Sequence, residues 1–319
     1  MSYERSAAEE KDGVLQRGQL SLADRIARWT AGRNRLDTRI QGLSLHRWEA
    51  PTEPQGYMLA PSVCLIGQGR KRLFLGEEAY VYDAYRFLIT SVDLPVVAQI
   101  VEASADRPYL GLTMELDLRV IAQLMLNDER PPGRASKDRL GVAVSAVSPS
   151  LLDAFNRLID LLEQPNDIAA LAPLVQQEIF YRLLTGEQGA RLRQITSAGN
   201  HGYRIARAID WLKDNFNQPL RTEELAHRVG LSTSAFHSHF RSTTAMSPLQ
   251  FQKRMRLNEA RRLMLTEQID ASRAAFKVGY ESPSQFNREY SRQFGAPPMR
   301  DIKNLIEVST GLEAEAAMH

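Results

Sequence analysis

The sequence predicts an α+β chain of two domains, strand-rich in its first half and helical in its last third. Three observations carry that expectation. Short apolar runs rich in β-formers fill residues 40–118, helical periodicity takes over after Asp117, and a helix-turn-helix pattern occurs twice between 220 and 291. At 319 residues, with 43% hydrophobic and 24% charged side chains, the chain has material for two cores.

Residues 1–19 are polar and are expected to be disordered. SLADRIARWTAG then predicts a short helix, capped by Ser21 with Asp24 at its third position and with Leu22, Ile26 and Trp29 on one face. Within 20–147, runs such as YMLAPSVCLI, KRLFLG, AYVYD and YRFLIT alternate with Gly, Pro and Asp turn signals, which argues a small barrel or sandwich. VIAQLML restores a helical period. A helix follows Ser148 as cap and Pro149 at its first position, with Leu151, Phe155, Leu158, Ile159 and Leu162 on one stripe, and IAALAPLVQQEIFYRLLTG continues the helical segment 148–185. Residues 186–201 carry Gly and Ser with little apolar pattern and are expected to be the interdomain linker; 304–319 is expected to be a flexible tail.

The segment 202–303 holds two helix-turn-helix units, at 220–241 and 268–291. In the first, Thr222 is the expected cap, Glu223 and Glu224 suit the positive helix start, and Gly230 ends the helix where the turn needs φ > 0. Ser232 caps the next helix, and Ala226, Val229, Phe236 and Phe240 face inward. Ala275, Val278 and Gly279 repeat Ala226, Val229 and Gly230 at an offset of 49, and Phe286 and Tyr290 repeat Phe236 and Phe240 at an offset of 50. Between the units a capping box, Ser247 with Gln250 and Pro248 at the first position, opens a helix of about 18 residues, roughly 27 Å. That length suits recognition helices set roughly 34 Å apart in successive major grooves of DNA.

Charge is divided unevenly along the chain. Residues 197–303 carry 17 Lys and Arg against 10 Asp and Glu, leaving 23 against 28 elsewhere. A basic segment beside an acidic one fits contact with a polyanion. With the inner residues fixed, Ser234, His237, Ser238 and Arg241 lie on the outer face of the first recognition helix, and Ser284, Asn287, Arg288 and Ser291 on that of the second. Arg288 has the reach to fork onto guanine O6 and N7, Asn287 suits adenine or a phosphate, and His237 can donate to a base acceptor. Ser232 and Ser282, as helix caps, and Arg292 are candidates for phosphate contact.

GLSTSAFHSHFRSTTAMSPLQFQKRMRLNEARRLML and VGYESPSQFNREYSRQFGAPPMRD resemble the AraC/XylS family of transcription activators over nearly all of 202–303. One departure is Ala245, where most members have Gly; the second copy keeps Gly295. CLIGQGRKRLFLGEEAYVYDAYRFLITSVDLPVVAQIVEASADRPYLGLTMELD resembles the cupin-like N-terminal domain of one subgroup. The resemblance implies a cupin-like β-barrel that binds a small-molecule effector, and flanking helices that pair two protomers into a homodimer. It also implies double-stranded promoter or operator DNA and RNA polymerase as partners. The family's base-reading positions fall among the eight outward residues named above.

Metal-dependent cupins use clustered His with Glu, whereas this segment holds His46 alone and the next histidine is His201. A catalytic metal, a cofactor and enzyme activity are therefore not expected, and His46 reads as a strand residue. The effector is not identified by the sequence; Tyr57, Cys64, Phe74, Tyr80, Tyr82 and Phe87 are lining candidates by type. An alternative is a redox or electrophile sensor in which a Cys64 thiolate adds to aldehydes or oxidants, as aldehyde-responsive members of the subgroup suggest. The lone cysteine excludes an intramolecular disulfide, and no membrane span or apolar leader is visible, so a cytoplasmic location is expected.

Overall fold

The structure, a computed structural model, describes residues 2–126, 141–196 and 200–306, with side chains from 13 onward. Its strands form two facing antiparallel sheets. The larger has the order β1 (Arg35–Asp37), β2 (Leu43–Trp48), β9 (Tyr109–Glu115), β4 (Ser62–Gln68), β7 (Arg86–Thr90), β10 (Val142–Ala146). The smaller has the order β3 (Gln55–Leu59), β8 (Leu94–Glu102), β5 (Arg70–Leu75), β6 (Glu78–Asp83). No ladder joins one sheet to the other among the described residues, so the expected barrel is not closed and the domain is an open sandwich. Closure would need hydrogen bonds between edge strands, and β1, at three residues, ends too soon to turn that corner.

Helix α1 (Ser2–Trp29) lies across β2, β4 and β9 of the larger sheet, α3 (Pro149–Asp160) packs on α1, and α4 (Ile168–Thr185) packs on α3. The Ser148 cap accepts from Leu151 N at 3.3 Å, and Leu151, Phe155, Leu158, Ile159 and Leu162 are all buried as their spacing requires. Two expectations at the N-terminus are corrected. Residues 2–19, expected to be disordered, are helical, and Ser21 lies inside α1 rather than capping it, its hydroxyl accepting from Arg25. The stretch is ordered from outside its own sequence: Gln19 donates to Ala84 O, and Gly18 O accepts from Asn156 at 3.1 Å.

The expected linker is also corrected, because α5 (Gly189–Thr196) lies within it and buries Leu192 and Ile195. Residues 197–199 fall outside the described residues, as do α2 (Leu118–Leu126)'s successors at 127–140 and the end of the expected tail from 307. Residues 304–306 of that tail continue a helix that starts at 298. The remaining helices are α6 (His201–Asn215), α7 (Thr222–Arg228), α8 (Thr233–Thr244), α9 (Pro248–Thr266), α10 (Ala271–Lys277) and α11 (Pro283–Phe294). Thr222 opens α7 as its first helical residue, and the cap position is Arg221, which pairs with Glu224 instead. One apolar core runs unbroken from the sandwich through α5 and α6 into the first helix-turn-helix, while the second unit has its own around Phe286 and Tyr290.

Gly230 and Gly279 both end their helices at positive φ, +70° and +86°. Their surroundings differ. A Cβ at Gly230 would find nothing nearer than the Arg204 side chain at 3.7 Å, whereas one at Gly279 would lie 2.1 Å from the Asn217 carbonyl oxygen. We expect Gly230→Ala to cost about 1 kcal/mol of unfolding free energy, the left-handed penalty alone, and Gly279→Ala to cost clearly more. Chemical denaturation followed by circular dichroism measures both; equal losses would remove the Asn217 clash as a cause.

Candidate functional site

The two recognition helices are built alike. In α8 the Ser232 hydroxyl accepts from Ala235 N at 3.3 Å, and Phe236 and Phe240 stack inward with ring centroids 5.4 Å apart. In α11 the Ser282 hydroxyl accepts from Gln285 N at 3.4 Å, and Phe286 and Tyr290 again lie 5.4 Å apart. The inward aromatic pair leaves the opposite face free: Ser234, His237, Ser238 and Arg241 on α8 and Ser284, Asn287 and Arg288 on α11 are exposed. Ser291 is half-buried and turns its hydroxyl onto Asn287 O at 2.8 Å. Among the described residues, the side chains of Arg241, Arg288 and exposed Arg292 make no intramolecular hydrogen bond or ion pair. Each cation is thus available to an outside anion.

The spacer α9 holds both units. It opens with the expected capping box and runs 19 residues, about 28 Å. From its middle Arg256 donates to Phe216 O at 2.6 Å, Gln218 O at 2.9 Å and Gly279 O at 2.8 Å, tying the loop after α6 to the turn of the second unit. One turn later Arg261 forms a two-pronged ion pair with Asp301, which also accepts from the Tyr290 hydroxyl at 2.7 Å. Both turns before the next helix are left-handed, Ala245 at φ 59° and Gly295 at φ 77°. The alanine that departs from the common glycine therefore keeps the glycine's conformation.

A second site lies between the two sheets. It is a cavity of about 640 Å³ whose lining includes Tyr57, His46, Lys71, Thr113, Trp48 and Ile100. Of the aromatic and thiol candidates read from the sequence, Tyr57 lines it; Cys64, Phe74, Tyr80, Tyr82 and Phe87 do not. Tyr82 and Phe87 are core, and Phe74 lies between buried Leu73 and Leu75 on the other side of β5. Cys64 is only 5% exposed and faces the Thr113 hydroxyl at 3.7 Å, so it lacks the solvent access that thiolate chemistry needs. His46 is a strand residue, as expected, and also lines the cavity, its Nε2 3.2 Å from Ser44 Oγ. Burial, with the nearby Lys71 and Arg35 charges, pulls His46 down to about 3, leaving it neutral near pH 7. Lys71 was hidden in the sequence inside a basic run, Arg70 to Arg72. Its alternation with Leu73 and Leu75, which puts all three on one side of β5, was the signal that marks it.

The family model described as AraC-type transcriptional regulator N-terminus matches residues 39–191, and one described as helix-turn-helix domain matches residues 225–304. The chain belongs to the AraC family of transcriptional regulators. Among curated relatives it is 26% identical over 144 residues to the HTH-type transcriptional regulator CdhR of Pseudomonas aeruginosa, covering 45% of this chain and 43% of that one. It is 26% identical over 158 residues to the HTH-type transcriptional activator RhaS of Salmonella agona, covering 49% of this chain and 56% of that one. The chain spans about half the length of these relatives. Among solved structures it is similar to ToxT of Vibrio cholerae bound to an unsaturated fatty acid, with a TM-score of 0.57 at 9% identity over 82% of this chain and 94% of that one. That likeness shows that the AraC-family chain has the two-domain ToxT-like fold. Among the described residues no helix is long and apolar enough to cross a membrane.

Arg256 makes a structural prediction for this AraC-family interface. Lys at this position keeps the charge but lacks the planar fork that reaches three carbonyls at once. Arg256→Lys should lower unfolding free energy by about 1–3 kcal/mol, since the part-buried carbonyls of Phe216 and Gly279 lose a charged donor. Denaturation curves superimposable on wild type would show that water replaces those bonds.

Proposed function

We propose that this chain is a sequence-specific DNA-binding transcription regulator, an activator that works with RNA polymerase in the cytoplasm and is controlled by a small molecule held in its N-terminal sandwich. The observation that carries the reading is the pair of solvent-facing recognition surfaces at the two ends of a 19-residue spacer. That spacing suits insertion of α8 and α11 into successive major grooves of operator DNA. In this reading Ser234, His237, Ser238 and Arg241 read one half-site and Ser284, Asn287, Arg288 and Ser291 the other, while Ser232, Ser282 and Arg292 hold phosphates. Similarity to a relative described as a transcriptional activator supports activation, and the fatty-acid-bound relative of the same fold supports a ligand in the sandwich. Residues 20–147 then form the effector domain, 148–185 the dimerisation segment and 202–303 the DNA-binding domain.

Homodimerisation is supported by α4. Leu171 and Leu174 are 41% and 61% exposed there, and Tyr181, two turns further along, is 50% exposed. An apolar stripe on an outer helix costs solubility unless a partner covers it. Leu174→Glu is expected to shift the protein from dimer to monomer in sedimentation equilibrium without lowering its thermal midpoint; a dimer of unchanged affinity would move the interface elsewhere.

Arg288→Ala should weaken binding to operator DNA by about five- to 150-fold, because a forked contact to guanine is worth roughly 1–3 kcal/mol. The exposed side chain has no hydrogen-bond or ion-pair partner to lose among the described residues, so the fold should stay intact. Fluorescence anisotropy with operator and scrambled duplexes checks this, and equal operator affinity for variant and wild type would overturn the assignment. Binding should also weaken steeply with salt as phosphate contacts release counterions.

A further inference from the structure

The cavity between the sheets contains a charge, that of Lys71, that no carboxylate among the described residues pairs with. Lys71 projects from β5 to its lining, where its ammonium donates to the Tyr57 hydroxyl at 3.3 Å and stands 5.7 Å from that ring's centroid. Among the described residues no carboxylate forms an ion pair with it. Its neighbour Arg70 differs, facing Glu102 at 3.7 Å on the outside. Arg35, at the same cavity, is already tied to Asp37 at 2.7 Å, and His46 is neutral. Lys71 is half-buried, and a partly desolvated cation without a counter-ion carries a cost that an anionic ligand relieves.

The surroundings narrow the anion. A single uncompensated positive charge matches a single negative charge. Exposed Asp37 and Glu115 stand at the rim and oppose a second one. The lining also supplies Ile40, Leu43, Leu59, Ile100 and the Trp48 ring, apolar surface for the body of the molecule, alongside polar Asn34, Gln55 and Gln99. The hydroxyls of Tyr57 and Thr113 and the Ser44-bound imidazole of His46 add polar contacts near the charged end.

We propose that the effector is an amphiphilic monocarboxylate, its carboxylate paired with Lys71 and hydrogen-bonded by Tyr57, and its apolar part lying against Trp48 and Ile100. This rests on the reading of the sandwich as an effector domain. A phosphate dianion fits less well, for its second charge.

The test uses the full-length chain with straight-chain carboxylates from acetate to dodecanoate, with benzoate, and with the matched amides and alcohols. Binding is read by tryptophan fluorescence and by thermal shift, in wild type, Lys71→Met and Tyr57→Phe. At least one carboxylate is expected to bind wild type and raise its midpoint, with its amide at least about ten-fold weaker, and Lys71→Met is expected to lose that preference. Ligand-free Lys71→Met is expected to melt no lower than wild type, because a half-buried charge without a counter-ion has gone; this keeps loss of binding separate from loss of fold. Tyr57→Phe is expected to weaken the carboxylate several-fold. Carboxylate and amide binding equally, a Lys71→Met variant that keeps the preference, or no carboxylate binding at millimolar concentration would overturn the proposal. Operator affinity with and without the bound carboxylate tests the effector reading separately: unchanged DNA binding would sink that reading and leave the carboxylate site standing.

Discussion

The contact that the helix-turn-helix half depends on is the fork of Arg256 onto three carbonyls. Two recognition helices can address one duplex only if their separation and relative rotation are fixed, and a long helix alone fixes the separation but not the rotation. Arg256 supplies the second constraint by joining Phe216 and Gln218 on one side to Gly279 on the other. The same loop presents Asn217 O against the Gly279 α-carbon, so the turn of the second unit is held by a donor and by a steric wall together. Below it, Arg261, Asp301 and Tyr290 close the second unit against α9.

The sandwich touches this assembly through a strand with two duties. Gly56 of β3 faces Phe294, where a Cβ would stand 3.4 Å from the ring, and its carbonyl accepts from Arg261 at 3.3 Å. Tyr57, the next residue, points the other way and lines the cavity. Alternation along a strand places adjacent side chains on opposite faces, so the backbone that shapes the cavity is also the backbone that α9 and α11 rest on. The first unit is joined separately, by Gly141 N to Thr243 O at 2.7 Å and by Lys213 to Asp93 at 2.9 Å. Both recognition helices are contacted near their C-terminal ends, which leaves their outward residues clear.

The helical half was legible in detail because its signals are local. Caps at Ser148, Ser232 and Ser247, left-handed Gly230 and Gly279, and aromatic pairs four residues apart each need only near neighbours, and the duplication made them mutually supporting. Ala245 shows how far local rules go: the sequence flagged the departure from glycine, and the structure keeps the left-handed turn. The N-terminal errors have the opposite origin. Residues 2–19 and 189–196 carry weak apolar patterns, and what orders them is distant: α3, the Ala84 carbonyl and the core that runs into α6.

The sequence by itself determined the duplicated helix-turn-helix, the spacer between its copies and the residues on each outward face, since a helix of known period fixes which side chains share a side. It determined a strand-rich first domain too. Only the tertiary structure decided that the two sheets stay open, that Tyr57 rather than Cys64, Phe74 or Tyr82 meets the cavity, and that Lys71 enters it with no counter-ion among the described residues. Those outcomes depend on which strands pair and how two sheets face each other. Such contacts join residues tens of positions apart, and the period of a single strand cannot specify them.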